Sequence, residues 1–205
     1  LRQCGINIQG RSSQLKINYR TTEQIRDWAS ALLLGMEADD LDNERLTRQQ
    51  YKSLLSGPPP EFHSFSSADE EQKFIERKLK ELLNHHRPEE ICLVTRKNKT
   101  LRDRYQPMLK RLDLAHTILD KHRDGKGIRL ATMHRVKGLE FPVMILAEVN
   151  AGVVPIRTPG AESDPVARLE HESRERSLFF VAATRARDLL IVTSYGQPSP
   201  FLPRQ

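Results

Sequence analysis

Residues 128–149 read IRLATMHRVKGLEFPVMILAEV. A mostly apolar start gives way to a polar stretch carrying Thr132, His134, Arg135, Lys137 and Glu140 around Gly138. An unbroken apolar run, Val143 to Ala147, follows. The pattern predicts strand, loop, buried strand, with the clustered polar groups forming a candidate site at the edge of a parallel sheet. Ile91 to Val94 and Leu189 to Val192 are also short, unbroken apolar runs. Strands apolar on both faces belong in a parallel sheet covered by helices. A helix near Leu101 to Leu112 and a strand at Ala115 to Leu119 lie between the first two runs, so strands and helices alternate. That alternation predicts an α/β sandwich.

Working outward, Lys16 to Asn18 reads as a strand end. Thr21, with Gln24 three residues on, reads as a capping box that opens a helix from Thr22 to about Leu34, ending near Gly35. Met36 to Pro60 is mixed and closes on GPPP, a loop. Glu61 to Phe65 is a candidate strand. Ser67 with Glu70 makes a second capping box, opening a helix to about His85 with Phe74, Leu79 and Leu82 inward. Beyond Ser194 come Pro198, Pro200 and Pro203, and this tail is predicted to fray. The chain therefore divides into an extension at 1–14, a domain at 15–195 and a Pro-rich tail at 196–205.

At 205 residues the chain is long enough for one domain with a real core. The 38% hydrophobic content is compatible with a globular fold, and no apolar span is long enough to cross a membrane. The opening, LRQCGINIQG, reads as mid-protein and carries no secretory signal. Cys4 and Cys92 make neither a disulfide framework nor a zinc site, which fits a reducing cytoplasm. The formal net charge of +6 favours polyanions, nucleic acid first.

Several residues are candidates for chemistry. Tyr19 and Arg20 stand between a strand and a helix; the tyrosine can stack on a base and the guanidinium can grip phosphate. The alternative is a surface arginine paired with Glu23. Arg185, in AATRARDLL, is packed about by small residues and can serve as a finger on a transferring phosphoryl group. Its alternative is a structural pair with Glu175 or Asp188. Thr132, His134 and Arg135 offer donors to a phosphate backbone, and Glu140 can accept from a ribose hydroxyl; a lone histidine can also be structural. No second His or Cys lies at metal spacing. Lys97 to Arg111 holds six basic residues against one acid, Asp103, either facing nucleic acid or forming a solvated helix face. There is no GxxxxGK[ST] phosphate loop: the one GK pair, Gly125-Lys126, lacks both the upstream glycine and the following Ser or Thr. The chain by itself has nothing with which to cradle ATP phosphates.

INYRTTEQI (17–25) resembles motif IV of the UvrD/Rep/PcrA-type superfamily 1 helicases. LATMHRVKGLEFPVMIL (130–146) resembles their motif V, and ERSLFFVAATRARDLLIV (175–192) their motif VI. ICLVTRKNKTLRDRY (91–105) resembles the strand-plus-helix between IV and V. The resemblance implies the second RecA-like motor domain of such a helicase. The fold would be a three-layer sandwich with a mainly parallel sheet, akin to P-loop NTPases but lacking the P-loop. It further implies that Tyr19 stacks on adenine, that Arg20 and Arg185 reach the γ-phosphate, and that Lys137 and Glu140 lie near the phosphates and ribose. Thr132 and His134 would touch single-stranded DNA. ATP and magnesium would be held mainly by an N-terminal RecA-like domain of the same protein, and movement would run 3′ to 5′. Two departures stand out. Arg174, Glu175, Arg176 and Ser177 occupy the place where the family often has two acids and two arginines, and the large domain often inserted before motif V is absent. A non-catalytic basic module that binds nucleic acid or protein is the competing reading, and a helicase–nuclease fusion a third.

Overall fold

The computed structural model describes residues 17–33, 52–119, 125–157 and 164–203, without the side chains of Ile17, Asn18, Tyr19 and Lys52. The expected extension at 1–14, Cys4, the end of the first helix near Gly35 and most of the stretch from Met36 to Pro60 lie outside the described residues.

Six strands form one all-parallel sheet in the order β3-β8-β7-β4-β6-β5. They are β3 (Glu61–Phe65), β4 (Ile91–Thr95), β5 (His116–Ile118), β6 (Ile128–Thr132), β7 (Phe141–Leu146) and β8 (Ala186–Tyr195). A separate two-stranded parallel sheet pairs β1 (Ile17–Thr22) with β2 (Lys52–Leu55). The unbroken apolar strands follow from burial on both sides, and alternation sorts their side chains between two cores. Cys92, Val94, Met144, Leu146, Leu190 and Val192 face one core, closed by α1 (Glu23–Ala31) and α5 (Pro165–Ala183). Ile91, Leu93, Val143, Ile145 and Ile191 face the other. There they meet Ile75, Leu79 and Leu82 of α2 (Ala68–Leu82), and Leu101, Tyr105, Met108 and Leu109. This is the predicted three-layer α/β sandwich.

Local chemistry sets the helix bounds. Ser67 caps α2 by accepting from the amide of Glu70 at 3.3 Å. The reciprocal arm is displaced by one residue: the Glu70 carboxylate takes the amide and hydroxyl of Ser66. The helix stops at Leu82 rather than His85, and Ile75 is the fully buried residue while Phe74 is half-buried against the core edge. The cap of α1 is Thr22, not Thr21: Thr22 accepts from the amide of Ile25 at 3.4 Å, because β1 continues through Thr21. The basic segment comprises α3 (Asn98–Thr100), a π-helical turn (Leu101–Tyr105) and α4 (Gln106–Arg111).

The Pro-rich tail does not fray as expected. Phe201 is buried, the Arg176 guanidinium lies 4.2 Å from its ring centroid, and Asn150 bridges to Pro198. Burying an aromatic ring at this position outweighs the disorder that the prolines would otherwise permit. Among the described residues no helix is long and apolar enough to cross a membrane.

Candidate functional site

The segment from Thr132 to Phe141 does more than turn at a sheet edge. β6 and β7 flank β4 on opposite sides and run parallel, so the eight residues between them must cross from the carboxyl edge of the sheet to its amino edge. They do so lying flat on one face. Met133 and Val136 are fully buried in the first core, with Leu139 packed beside them. Gly138, at φ +81, makes the bend that the crossing requires. A five-residue strand spans roughly 17 Å. The polar residues that cluster in sequence are therefore divided between two edges.

At the amino edge three charged side chains meet. Arg20, on β1, places its Nε 3.0 Å from Glu140 Oε2. Glu140 directly precedes β7, and the amide of Phe141 donates to the carbonyl of Arg185 at 2.9 Å. Arg185 sits at the junction of α5 and β8, its Nε donating to the Val181 carbonyl at 3.0 Å. Burial holds the Arg185 guanidinium below its ordinary pKa; the charge of Arg20 pushes the same way and Glu140 opposes it. Neither alternative pairing occurs. Glu23 pairs with Arg26, Asp188 with Arg187, and Glu175 with Arg96. A bulge between Phe141 and Val143 sets an extra residue into the start of β8, and bulges re-aim side chains beside sites of this kind. Tyr19 shares β1 with Arg20, but its side chain lies outside the described residues. Lys137 is exposed on the crossing segment, as are His134 and Arg135.

At the carboxyl edge, Thr132 ends β6 and lines a cleft of about 220 Å³ with Asn98, Leu101, Arg102, Ile118, Leu119 and Arg135. His134 stands beside it; partial desolvation lowers its pKa first, with the Arg96 charge adding to that and Glu175 opposing. Sequence reasoning missed Arg96 and Asn98. The available signal was their position just beyond an unbroken apolar strand, where parallel sheets present ligand-binding groups. Of the basic segment, Lys99 pairs with Asp103 and Arg111 with Glu76, while Arg102 opens onto the cleft.

Glu175 of α5 pairs outside its own helix. Arg96 grips Glu175 with two hydrogen bonds, of 2.9 and 2.7 Å, and Glu175 also accepts from the amide of Ile156 at 3.1 Å. Arg174 and Arg176 pair one turn back, with Glu170 and Glu172. These three bonds hold the Glu175 carboxyl below its usual range against the opposing effect of burial.

Comparison with known proteins sets this arrangement in context. The family described as UvrD-like helicase C-terminal domain matches residues 13–122 and 101–197. The ATP-dependent DNA helicase PcrA of Staphylococcus aureus strain Mu50 is 33% identical over 93 residues, which is 42% of this chain and 12% of that protein. Its counterpart from Staphylococcus epidermidis strain RP62A is 37% identical over 78 residues, 37% of this chain and 10% of that protein. The chain thus spans only a small part of the curated relatives it matches. A crystal structure of the C-terminal domain of a possible DNA helicase from Lactobacillus plantarum WCFS1 shares the fold. Its TM-score is 0.63 at 18% identity, covering 91% of this chain and 93% of that one.

Proposed function

The chain belongs to the UvrD-like helicase C-terminal domain family, and on that premise we propose that it is the second motor domain of an ATP-dependent 3′-to-5′ DNA helicase. The observation that carries this reading is the convergence of Arg20, Glu140 and Arg185 from three elements onto the amino edge of the sheet. Two guanidiniums on one rim suit a polyphosphate held on a facing lobe. The facing lobe is the N-terminal RecA-like domain, which supplies the phosphate loop that this chain lacks. Arg20 and Arg185 reach the γ-phosphate, Tyr19 stacks on the adenine, Lys137 lies near the phosphates and Glu140 accepts from the ribose. The magnesium that accompanies ATP belongs to the partner lobe. Among the described residues this rim offers one carboxylate, and no group of three or more His, Cys, Asp or Glu side chains suits a metal ion.

Thr132, His134 and Arg135 engage single-stranded DNA at the other edge. The crossing segment joins both edges as one piece of backbone, so cleft closure on nucleotide repositions the grip on the strand. The arginines contact the γ-phosphate only in the closed state, and loss of that contact on hydrolysis releases it. A cytoplasmic location goes with this role.

The test is ATP hydrolysis by the 205-residue chain alone and by the same chain joined to a phosphate-loop-bearing N-terminal domain. The chain alone turns over no ATP with or without DNA, and the joined protein is stimulated by single strands. DNA-stimulated hydrolysis by the chain alone would refute the half-motor assignment.

A further inference from the structure

Glu140 and Arg20 are each about half exposed, at 56% and 52% of their side-chain surface. Exposed pairs of this kind are weak, so the contact exchanges easily with other charges. The backbone around Glu140 does not exchange. The hydrogen bond from the Phe141 amide to the Arg185 carbonyl sets the Glu140 backbone beside the second arginine, whose guanidinium feels the Glu140 charge. Arg185 is held by the Val181 carbonyl through Nε, and among the described residues its terminal nitrogens have no partner. Two cations brought onto one rim repel each other unless an anion stands between them, and here Glu140 is that anion.

We propose that Glu140 is a built-in stand-in for phosphate, holding Arg20 on the rim until an incoming polyphosphate displaces it. The proposal rests on the nucleotide-rim reading above and adds a regulatory step to it. The single carboxylate charge is outcompeted by a polyphosphate that carries several. Once released from Arg20, the same carboxylate is available to a ribose hydroxyl, so the exchange links phosphate arrival to sugar recognition. With no polyphosphate present, the arginine stays collapsed on its own chain.

The probe is inorganic tripolyphosphate, which has no ribose and so isolates the displacement. The full chain is titrated at low ionic strength and followed by backbone amide chemical shifts, whose dispersion also reports folding. Four variants accompany it: Glu140→Gln, Glu23→Gln, Arg20→Ala and Arg185→Ala. Glu23 lies three residues from Arg20 and pairs with Arg26, so its variant measures the general effect of removing a negative charge. Glu140→Gln is expected to bind tripolyphosphate about two- to fivefold more tightly than wild type, the range that an exposed ion pair allows. Glu23→Gln is expected to change binding by less than about half of that gain. If Glu140→Gln binds no more tightly, or Glu23→Gln matches it, the stand-in role is overturned even where Arg20→Ala and Arg185→Ala weaken binding. If neither arginine variant weakens binding, the rim itself is refuted, and the stand-in with it.

Discussion

Glu71 shows how much a single residue can hold together. It has no exposed surface, yet its carboxylate accepts from the Thr193 hydroxyl at 2.7 Å, the Tyr105 hydroxyl at 3.1 Å and the amide of Glu148 at 3.0 Å. Arg104 Nη1 stands 3.7 Å away. Burial pushes the Glu71 carboxyl above its ordinary pKa of 4.5, against the pull of those three bonds and the arginine. Its proton is therefore held more tightly in the folded state than in the unfolded state. The corresponding stability is full below pH 4.5 and is lost as pH rises through the folded value. Glu71→Gln removes that titration, so its urea-unfolding free energy should fall less than wild type as pH rises above 4.5; superimposable profiles would rule the titration out. Glu71→Ala strands three buried donors and should cost about 3–5 kcal/mol in the same measurement. Nothing in the sequence pointed to Glu71, because its partners lie 34 to 122 residues away. Arg20 and Arg185 were legible for the opposite reason: each stands at the end of a local pattern, a strand before a helix or a helix before a strand.

Among the elements, α5 connects the two edges. From Glu175, clasped to Arg96 near the carboxyl edge, to the helix end at Ala183, two residues before Arg185, is about 12 Å of helical rise. The Arg96–Glu175 pair is largely buried, at 14% and 7% exposure. Breaking a buried pair by removing one partner costs about 3–5 kcal/mol, so Glu175→Ala should lose about that much on urea unfolding. Glu175→Gln tests the electrostatics more finely. The Glu175 charge raises the His134 pKa against burial and Arg96, so removing it should lower that pKa further. An NMR titration of the ring protons reads this directly, and an unchanged His134 would break the link between α5 and the carboxyl edge. The cap of α2 was legible from the sequence, because a cap is a contact within four residues: Ser67→Ala should cost about 1 kcal/mol. The crossing segment was not legible. An eight-residue loop between two strands reads the same whether it turns at one edge or traverses a face, and only the insertion of β4 between β6 and β7 decides which.

For the whole molecule, the class of fold was plain in the unbroken apolar strands, since only a sheet covered on both faces tolerates them. Which edge carried which chemistry was not plain. The rule that ligands gather at carboxyl ends suited Thr132 and the cleft beside it, yet the arginine pair lies at the amino edge of the main sheet, where β1 ends against the start of β8. The tail misled because prolines forbid a central strand but not a packed return, and Phe201 supplied the apolar anchor. On the proposed reading the molecule has two working edges joined by a crossing segment and a helix, and one rim that a second lobe would complete. The most direct test of that rim is Arg185→Ala in the chain joined to a phosphate-loop-bearing N-terminal motor domain. ATP affinity should stay within about threefold, while DNA-stimulated turnover falls by a factor on the order of 10³ to 10⁵. Turnover near that of the unsubstituted protein would contradict the account.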